Sequence, residues 1–379
     1  MKSIRVVIKT TNACNMRCKY CYNSESEYVK EVLPIERFDK LMRLLAQEYT
    51  TISVIWHGGE PLCCGIDYFR QAMKIEDELS SVMGVKIENS VQTNGTLINN
   101  EWIKFFTKYN WKVGVSFDGV DNDKYRQLTD KTLAALDLLK KHNVKHAVMA
   151  VVSEGYDLEA NYDYFKQMGL GFEFSPLFSE GGGKDLNAAA HFAEDCNKLF
   201  DRWLFDTEGV NVRLFYAYTA LAVGSPYRTC CHGSCLTKFL GISPDGTLYN
   251  CSRHSVMEYP FGNVDDMQSI SEAFNSEGFY RLLKGSVERR RKCKESCDLF
   301  QYCGGGCTDA AIIENGLTEI PEQSCHTFRI IFEHIKAAIE RVIADKVPLD
   351  KLNPTLRKLF AQNCAVDSSD PDEYALRKM

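Results

Sequence analysis

Two hydrophobic periods alternate along the first half of the chain. Short runs rich in β-branched residues predict strands, and apolar residues recurring every three or four positions predict helices between them. The strands are predicted at Ile4–Lys9, Thr51–Trp56, Lys86–Gln92, Val113–Phe117, His146–Val152 and Gly171–Phe174. The helices are predicted at Pro34–Gln47, Tyr68–Leu79, Asn99–Lys108, Thr132–Lys141 and Leu158–Met168.

This alternation favours a parallel α/β sheet with crossover helices. Six strand-then-helix units fall short of the eight in a closed barrel, so we expect an open (β/α)6 barrel, a partial TIM barrel. In such folds, ligands bind at the carboxyl ends of the strands. Polar motifs follow three of these ends, at Gly58–Pro61, Gln92–Thr96 and Ser116–Gly119. We therefore expect the functional site at this edge of the sheet.

The composition changes near Arg228, where cysteines become frequent. The run Ser243–Tyr249 predicts a hairpin turn with its return strand, and Thr327–Ala344 has the apolar stripe of an amphipathic helix. Beyond Pro348 the chain is polar, and its acidic end predicts a solvated or disordered segment. We therefore expect a barrel domain at 1–225, a cysteine-rich domain at 226–345 and a polar C-terminal tail at 346–379.

Composition limits the class of protein. The chain has 379 residues, 45% of them apolar, which is enough for one large domain and a smaller one. It has neither an apolar run of membrane-spanning length nor a signal-peptide pattern, so we expect a cytoplasmic protein. The net charge of −6 gives no reason to expect nucleic-acid binding. Sixteen cysteines without a secretion signal favour metal binding over disulfides.

Three cysteines, Cys14, Cys18 and Cys21, lie on one short loop after the first strand. Their thiolates can hold three irons of a [4Fe–4S] cluster and leave the fourth iron open to a small molecule, whereas electron-transfer clusters ordinarily use four cysteines. Structural zinc is the alternative, but it needs four closed ligands, and no further Cys or His lies nearby in the sequence. The spacing predicts a reactive iron–sulfur cluster.

A second set of cysteines lies in the C-terminal domain. Its members are Cys230, Cys231, Cys235, Cys251, Cys293, Cys297, Cys303, Cys307 and Cys325. Eight thiolates can hold two four-iron clusters, and two zinc ribbons are the alternative. The remaining cysteines lack metal-type spacing and are predicted to be unligated: Cys63, Cys64, Cys196 and Cys364.

The C-x3-C-x-aromatic-C loop resembles that of the radical S-adenosylmethionine (SAM) enzymes. The resemblance implies that the open iron chelates the amino and carboxyl groups of SAM, and that the reduced cluster cleaves SAM to a 5′-deoxyadenosyl radical that abstracts hydrogen. It also implies an external one-electron donor such as a flavodoxin or ferredoxin. By the same resemblance, the SAM contacts are Tyr20, Gly58, Gly59, Glu60, Gln92, Asn94, Ser116 and Arg126. Relatives have a glycine several residues after the arginine, and this chain has none before Thr132.

The second set, with Gly246 inside it, resembles the SPASM extension of that family. The resemblance implies two auxiliary [4Fe–4S] clusters and therefore three clusters in all. The first would take Cys235, Cys251, Cys307 and either Cys230 or Cys231. The second would take Cys293, Cys297, Cys303 and Cys325. One element departs from the pattern, because three residues rather than two separate Cys293 from Cys297.

Enzymes of this kind oxidise or cross-link peptides and proteins. We favour a maturase that forms a thioether, ether or carbon–carbon cross-link in a ribosomally made peptide. The alternative is an anaerobic sulfatase-maturating enzyme, which converts Cys or Ser to formylglycine. Those enzymes carry an Asp directly after the cysteine that matches Cys251, where this chain has Ser252. A non-catalytic electron-transfer protein is the alternative of another class, and the open three-cysteine site argues against it.

The expected partner is a peptide or protein substrate, with no nucleic acid and no membrane. The chain begins directly at its first strand, so leader-peptide binding, where it is needed, is expected on a separate protein or on the surface of the catalytic domains. The catalytic base is not identified by any pattern. His254 and Asp118 are considered for it, but neither is assigned.

Overall fold

One sheet of eight strands runs through the fold. The computed structural model describes residues 2–25, 31–179, 181–225, 229–232, 235–253 and 255–364. The strands are β1 Ser3–Thr11, β2 Thr51–Gly58, β3 Lys86–Thr93, β4 Lys112–Ser116, β5 His146–Val152, β6 Phe172–Pro176, β7 Phe239–Ile242 and β8 Leu248–Tyr249. Their order across the sheet is β6-β5-β4-β3-β2-β1-β7-β8. All neighbouring pairs are parallel except β7 and β8, which form an antiparallel hairpin.

Helices cover the outer face of the sheet and build the C-terminal region. Within the described ranges, those of the first half are α1 Ile35–Glu48, α2 Ile66–Met83, α3 Asn100–Lys108, α4 Asn122–Tyr125, α5 Thr129–Lys141 and α6 Leu158–Met168. Those of the second half are α7 Phe192–Leu204, α8 Arg213–Ala222, α9 Glu277–Ser296, α10 Phe300–Cys303, α11 Thr308–Glu314, α12 Glu322–Ala344 and α13 Pro354–Cys364. None of these helices is both long and apolar enough to cross a membrane.

The predicted open barrel is confirmed. Its six strands β1 to β6 lie side by side in chain order, and β6 is the edge strand, with a bridge from Phe172 to Val212 on its outer side. The hairpin predicted at Ser243–Tyr249 is present, and its first strand extends the sheet beside β1. The C-terminal cysteine-rich region is therefore attached to the barrel through a shared sheet.

The polar tail expected after Pro348 begins instead with the helix α13. Leu356 and Leu359 of this helix and Leu352 just before it are buried, with relative exposures of 0–2%. These apolar residues recur at helical spacing, a signal that the overall polarity of the segment obscured. The acidic run at 367–373 lies outside the described residues.

The core between sheet and helices is aromatic around β2. Trp56 stacks on Trp111 at a ring distance of 5.8 Å, and Phe69 of α2 packs edge-on against both rings. The indole nitrogen of Trp56 donates to Asn89 Oδ1 at 2.7 Å. Asn89 in turn donates through Nδ2 to the buried carboxyl of Glu76 at 2.5 Å. This polar chain stands at the rim of an otherwise apolar layer.

Glu76 should make stability depend on pH. Burial raises the pKa of its carboxyl from 4.5 to about 8, although the hydrogen bond from Asn89 opposes the shift. Between these two values the folded state holds a proton that the unfolded state has released, so stability falls as pH rises, by at most about 1.4 kcal/mol per pH unit. We expect Glu76→Gln to reduce this fall between about pH 5 and about pH 8. Anaerobic urea titrations followed by tryptophan fluorescence measure it.

The control is Asp137→Asn, which removes an exposed carboxyl from another helix, α5. It should keep the pH dependence of the unmodified chain. An equal pH dependence in Glu76→Gln and the unmodified chain would contradict the assignment.

Candidate functional site

The three-cysteine loop is held against the turn after β2 by close backbone contact. Gly59 N donates to Thr11 O at 2.8 Å, and Glu60 N donates to Ala13 O at 2.9 Å. A Cβ atom on Gly58 would lie 2.3 Å from Thr11 O, and one on Gly59 would lie 2.3 Å from Ala13 O. Both positions therefore require glycine. The two glycines thus admit the loop itself, a role that the sequence pattern alone did not indicate.

Glu60 joins this turn to the end of β3. Its carboxylate accepts hydrogen bonds from Leu62 N at 3.0 Å, Thr93 Oγ1 at 2.7 Å and Asn94 N at 2.8 Å. The side chain is 1% exposed, so burial raises the pKa of its carboxyl and the three donors oppose that rise. A buried carboxylate with three donors fixes the relative position of two strand ends.

The other polar residues predicted at strand ends also meet one another. Asn94 Nδ2 donates to Asn15 Oδ1 in the cysteine loop at 2.8 Å and lies 4.0 Å from Cys14 Sγ. Gln92 Nε2 donates to Ser116 Oγ at 2.7 Å, which links β3 to β4. Hydrogen bonds of β3 residues therefore join the loop and the ends of β2 and β4 to β3, and we call this set of contacts the polar network.

Arg126 lies in a buried chain of three polar side chains rather than on the surface. Its Nη1 donates to the Tyr20 hydroxyl at 2.7 Å, and that hydroxyl donates to Asp118 Oδ2 at 2.6 Å. The guanidinium also opposes the raised pKa of the Cys18 thiol, which is caused mainly by burial. Asp118 additionally accepts from Val151 N at 3.0 Å. Arg126 and Asp118 are thus positioned through Tyr20, at the back of the cysteine loop.

The loop after Arg126 explains the missing glycine. Gln127 and Leu128 have φ values of 150° and 56°, in the region that favours glycine. Non-glycine residues held there cost about 1–3 kcal/mol each. The short loop therefore turns with two strained residues and without a glycine.

The predicted metal ligands fall into three separate groups of thiols. Burial raises the pKa of thiols in each group, and the charges of neighbouring thiolates raise it further, which places those thiols near one another. The first group is Cys14, Cys18 and Cys21. The second is Cys230, Cys235, Cys251 and Cys307, with Cys231 at its margin. The third is Cys293, Cys297, Cys303 and Cys325.

The assignment of these groups to one open and two closed clusters stays a prediction. Desolvation by the surrounding protein raises the pKa of Cys235 to about 12 and that of Cys307 to about 11. A positively charged metal bound between these thiols would stabilise their deprotonated form. In the described part of the chain, no three His, Cys, Asp or Glu side chains converge as a single ion requires, with donors about 2.3 Å from one point.

Cys230 and Cys231 differ in their neighbours. The charge of Cys230 raises the pKa of both Cys235 and Cys251. The thiol of Cys231 is affected by Cys230 and Cys307, and its Sγ lies 2.9 Å from the Thr229 hydroxyl. Cys230 is therefore more central to the group than Cys231.

The cysteines predicted to be unligated differ in their surroundings, and Cys63 accepts a hydrogen bond from the backbone of Asn15 in the cysteine loop. Cys63 is exposed, Cys64 is half-buried and Cys196 is buried in α7. The side chain of Cys364 lies outside the described residues.

A face of mixed character lies between the first and second thiol groups. Tyr22 follows Cys21, and its hydroxyl is hydrogen-bonded to Ser252, which follows Cys251. The guanidinium carbon of Arg253 is 3.9 Å from the ring centroid of Phe178 and 5.3 Å from that of Tyr22. Arg253 Nε is also 4.0 Å from Asp309 Oδ2. His254, considered as a base, lies outside the described residues.

Sequence reasoning missed most residues of this face. Tyr22, Phe178, Arg253 and Asp309 come from four separate segments, so no local spacing joins them. The sequence offered one signal, which is closeness to a predicted ligand cysteine. Tyr22 directly follows Cys21, and Arg253 lies two residues after Cys251.

Comparison with known families agrees with this geometry. The model of the radical SAM superfamily matches residues 8–166, and that of the SPASM iron–sulfur cluster-binding domain matches residues 230–303. The chain belongs to the radical SAM enzymes with a C-terminal SPASM domain. It is therefore an enzyme that uses SAM and iron–sulfur clusters, and the non-catalytic alternative is wrong.

Among its relatives are enzymes that mature sulfatases. The chain is 28% identical over 363 residues to the cysteine-type anaerobic sulfatase-maturating enzyme of Clostridium novyi, covering 88% of this chain and 95% of that one. It is 29% identical over 354 residues to the serine-type enzyme of Bacteroides thetaiotaomicron, covering 81% and 83%. A solved structure, native anSMEcpe with bound AdoMet and Kp18Cys peptide, matches with a TM-score of 0.77 and 26% identity, covering 90% and 98%.

The carboxylate of Glu60 should be essential to the polar network. In Glu60→Gln, an amide nitrogen replaces one acceptor, so at least one of three buried donors loses its partner. We expect the free energy of unfolding to fall by about 1–3 kcal/mol and SAM binding to weaken. Anaerobic denaturation and equilibrium dialysis with SAM measure the two effects. Glu36→Gln, at an exposed position of α1, is the matched control and should change neither quantity.

Proposed function

We propose that this enzyme oxidises a cysteine or serine side chain of a protein substrate to formylglycine. The observation that carries the proposal is the likeness to cysteine-type and serine-type sulfatase-maturating enzymes, which extends over most of both chains. The structural likeness to anSMEcpe with a bound peptide supports a peptide segment as the part of the substrate that is bound. These comparisons favour the alternative of the sequence analysis over the cross-link that it preferred.

The three thiol groups support three [4Fe–4S] clusters. The Cys14, Cys18 and Cys21 group would hold the cluster that binds SAM, and the other two groups would hold the auxiliary clusters. We assign Cys230 rather than Cys231 to the first auxiliary cluster, because the charge of Cys230 acts on both Cys235 and Cys251 of that group. When bound, the first cluster and SAM supply the radical that removes hydrogen.

The residues of the chain position SAM beside the cysteine loop. The polar network of Glu60, Asn94, Gln92 and Ser116 lies beside the loop and offers hydrogen-bonding groups for SAM, with Tyr20 and Arg126 behind them. Removal of a hydrogen atom from the Cβ of a substrate cysteine leaves a radical. Loss of one electron and one proton then gives a thioaldehyde, and water converts it to an aldehyde with release of hydrogen sulfide.

The face between the first two thiol groups is the proposed place for the substrate. Tyr22 and Phe178 offer aromatic contact, and Arg253 with Asp309 offers charged groups. Ser252 and Arg253 directly follow Cys251, so a substrate radical at this face would be close to the second thiol group. The first auxiliary cluster is thus the proposed acceptor of the electron.

A cross-linking peptide maturase is the second candidate. The observation that favours it is Ser252, whose hydroxyl is hydrogen-bonded to Tyr22 where sulfatase-maturating relatives are expected to carry a carboxylate. A cross-link needs the same removal of hydrogen and of one electron. For either reaction we propose an external donor such as a flavodoxin or ferredoxin and a cytoplasmic setting, and for the cross-link a separate leader-binding protein where a leader is needed.

The reaction is tested with peptides that differ at one residue. A peptide spanning the active-site cysteine of a sulfatase from the same genome, with its serine and alanine variants, is incubated anaerobically with enzyme, SAM and reductant. We expect the cysteine or serine peptide to gain an aldehyde that a hydrazine reagent captures, as seen by mass spectrometry. The alanine peptide should be unchanged.

Two results would count against the proposal. One is cleavage of SAM with all three sulfatase peptides unchanged. The other is loss of two hydrogens from a short peptide encoded beside this gene, mapped by fragmentation to a linkage between side chains, which would establish the second candidate.

The assignment of Cys230 predicts a difference between two neighbouring substitutions. Cys230→Ala should lose up to one cluster, about four irons of about twelve, because it removes a ligand. Cys231→Ala should keep the full iron content. Iron and sulfide analysis after anaerobic reconstitution measures both, and equal losses in the two variants would refute the choice of Cys230.

A further inference from the structure

Arg289 is a buried cation between the second and third thiol groups. Its side chain is 1% exposed. It lies on α9 four residues before Cys293, so one helical turn places the two side chains on the same face. The guanidinium donates to Gly305 O at 3.3 Å, Leu317 O at 3.0 Å, Ser286 Oγ at 3.4 Å and Thr308 Oγ1 at 3.1 Å.

These hydrogen bonds place Arg289 on the segment that joins the two groups. Gly305 lies two residues after Cys303 of the third group, and Thr308 directly follows Cys307 of the second. The guanidinium therefore holds both ends of the Gly305–Thr308 segment. Any change of charge in either group takes place close to this cation.

All four hydrogen-bond acceptors of Arg289 are neutral. A cation removed from water is costly unless a negative charge compensates it. Burial accordingly lowers the pKa of Arg289, and the thiolates of Cys307, Cys293 and Cys235 oppose that shift. These thiolates belong to both groups. The negative charge that Arg289 faces is thus supplied by the predicted cluster ligands.

We propose that Arg289 is the counter-charge shared by the two auxiliary clusters and that it raises their reduction potentials. The proposal rests on the assignment of the eight cysteines to two clusters. An oxidised [4Fe–4S] cluster with four thiolates has a net charge of minus two, and one added electron makes it minus three. A fixed cation stabilises the reduced form more than the oxidised form, and net charge is one of the determinants of cluster potential.

This arrangement suits clusters that accept an electron from a substrate radical. Each closed set of four thiolates is strongly negative and would by itself resist a further electron. A buried cation is little screened by salt. It lowers the electrostatic cost of adding an electron to either cluster. Arg289 would then act as a positioning residue through the clusters, with no contact to the substrate.

The test is a redox titration of the full-length protein without substrate. A background with Cys14, Cys18 and Cys21 replaced by Ala removes the SAM cluster and should retain about eight irons. In this background, Arg289→Gln removes the charge and keeps two N–H donors, and Arg289→Lys keeps the charge. Arg291→Gln removes an exposed charge two residues away and is the matched control. Electron paramagnetic resonance follows the reduced clusters as the potential is lowered.

We expect Arg289→Gln to shift the auxiliary midpoint potentials to more negative values, by at least about three times the shift in Arg291→Gln, because exposed charge is screened. Arg289→Lys should stay close to the background. Arg289→Gln could also bind no iron while Arg289→Lys binds about eight irons per chain. That result would likewise support the proposal, because it would show that the auxiliary clusters need the positive charge.

Three outcomes would overturn the proposal. Equal potentials in Arg289→Gln and Arg291→Gln at full iron content would show that the charge has no effect, and they would leave the formylglycine reaction unaffected because no substrate is present. Loss of iron in both Arg289 variants would show that the fork-shaped hydrogen bonding is needed rather than the charge. A background protein without auxiliary iron would overturn this proposal together with the assignment of the auxiliary clusters.

Discussion

The contact between the Gly58–Glu60 turn and the cysteine loop is the constraint on which the site depends. The loop follows β1 and lacks secondary structure between Asn12 and Cys21, so its own hydrogen bonds do not fix it. Two backbone hydrogen bonds join it to the turn, and the buried Glu60 carboxylate joins the turn to β3. Hydrogen bonds to a charged group contribute about 1.5–3 kcal/mol each. A small set of contacts therefore holds three strand ends in the positions that the cysteine loop requires.

The shared sheet extends this constraint to the C-terminal region. The strand β7 pairs with β1, from Arg5↔Phe239 to Ile8↔Ile242, and the hairpin returns through β8 toward Cys251. The same strand that leads into the cysteine loop therefore also positions the ligands of the second thiol group. A second contact joins the barrel to the C-terminal region. Arg37 of α1 forms an ion pair with Asp265, and its Nε lies 3.0 Å from both carboxylate oxygens. The distance between the two groups is thus set by sheet geometry and by contacts on both sides.

The sequence predicted those features that depend on local period and spacing. The six barrel strands and five helices were found within a few residues, because each is amphipathic or buried over its whole length. The partition of the cysteines was predicted from a family pattern, and the structure brings thiols of each predicted set near one another. The long helix α9 was missed, because its last turns, Arg289–Ser296, are almost entirely polar. Its face toward the thiol groups is recognisable only once the fold is known.

Contacts between distant segments could not be predicted in the same way. No local pattern places Arg126 against Tyr20, and none predicts that Gln127 and Leu128 adopt φ values that favour glycine. The face formed by Tyr22, Phe178, Arg253 and Asp309 likewise depends on the approach of the hairpin to the barrel. Such contacts are set by the whole fold, and side chains in them obey no periodicity.

Two buried arginines show how charge is distributed among the three thiol groups. Arg126, near the first group, is linked through the Tyr20 hydroxyl to the carboxylate of Asp118, so much of its charge is compensated by the protein. Arg289, between the second and third groups, is bound only to neutral oxygens. The buried cation near the first group is thus paired with a carboxylate, and Lys9 and Arg17 also act on Cys21 there. The cation between the other two groups has no carboxylate among its described hydrogen-bond partners. On the proposed assignment of the cysteines, the negative charge that Arg289 balances is therefore that of the auxiliary clusters, and this is why their potentials would depend on it.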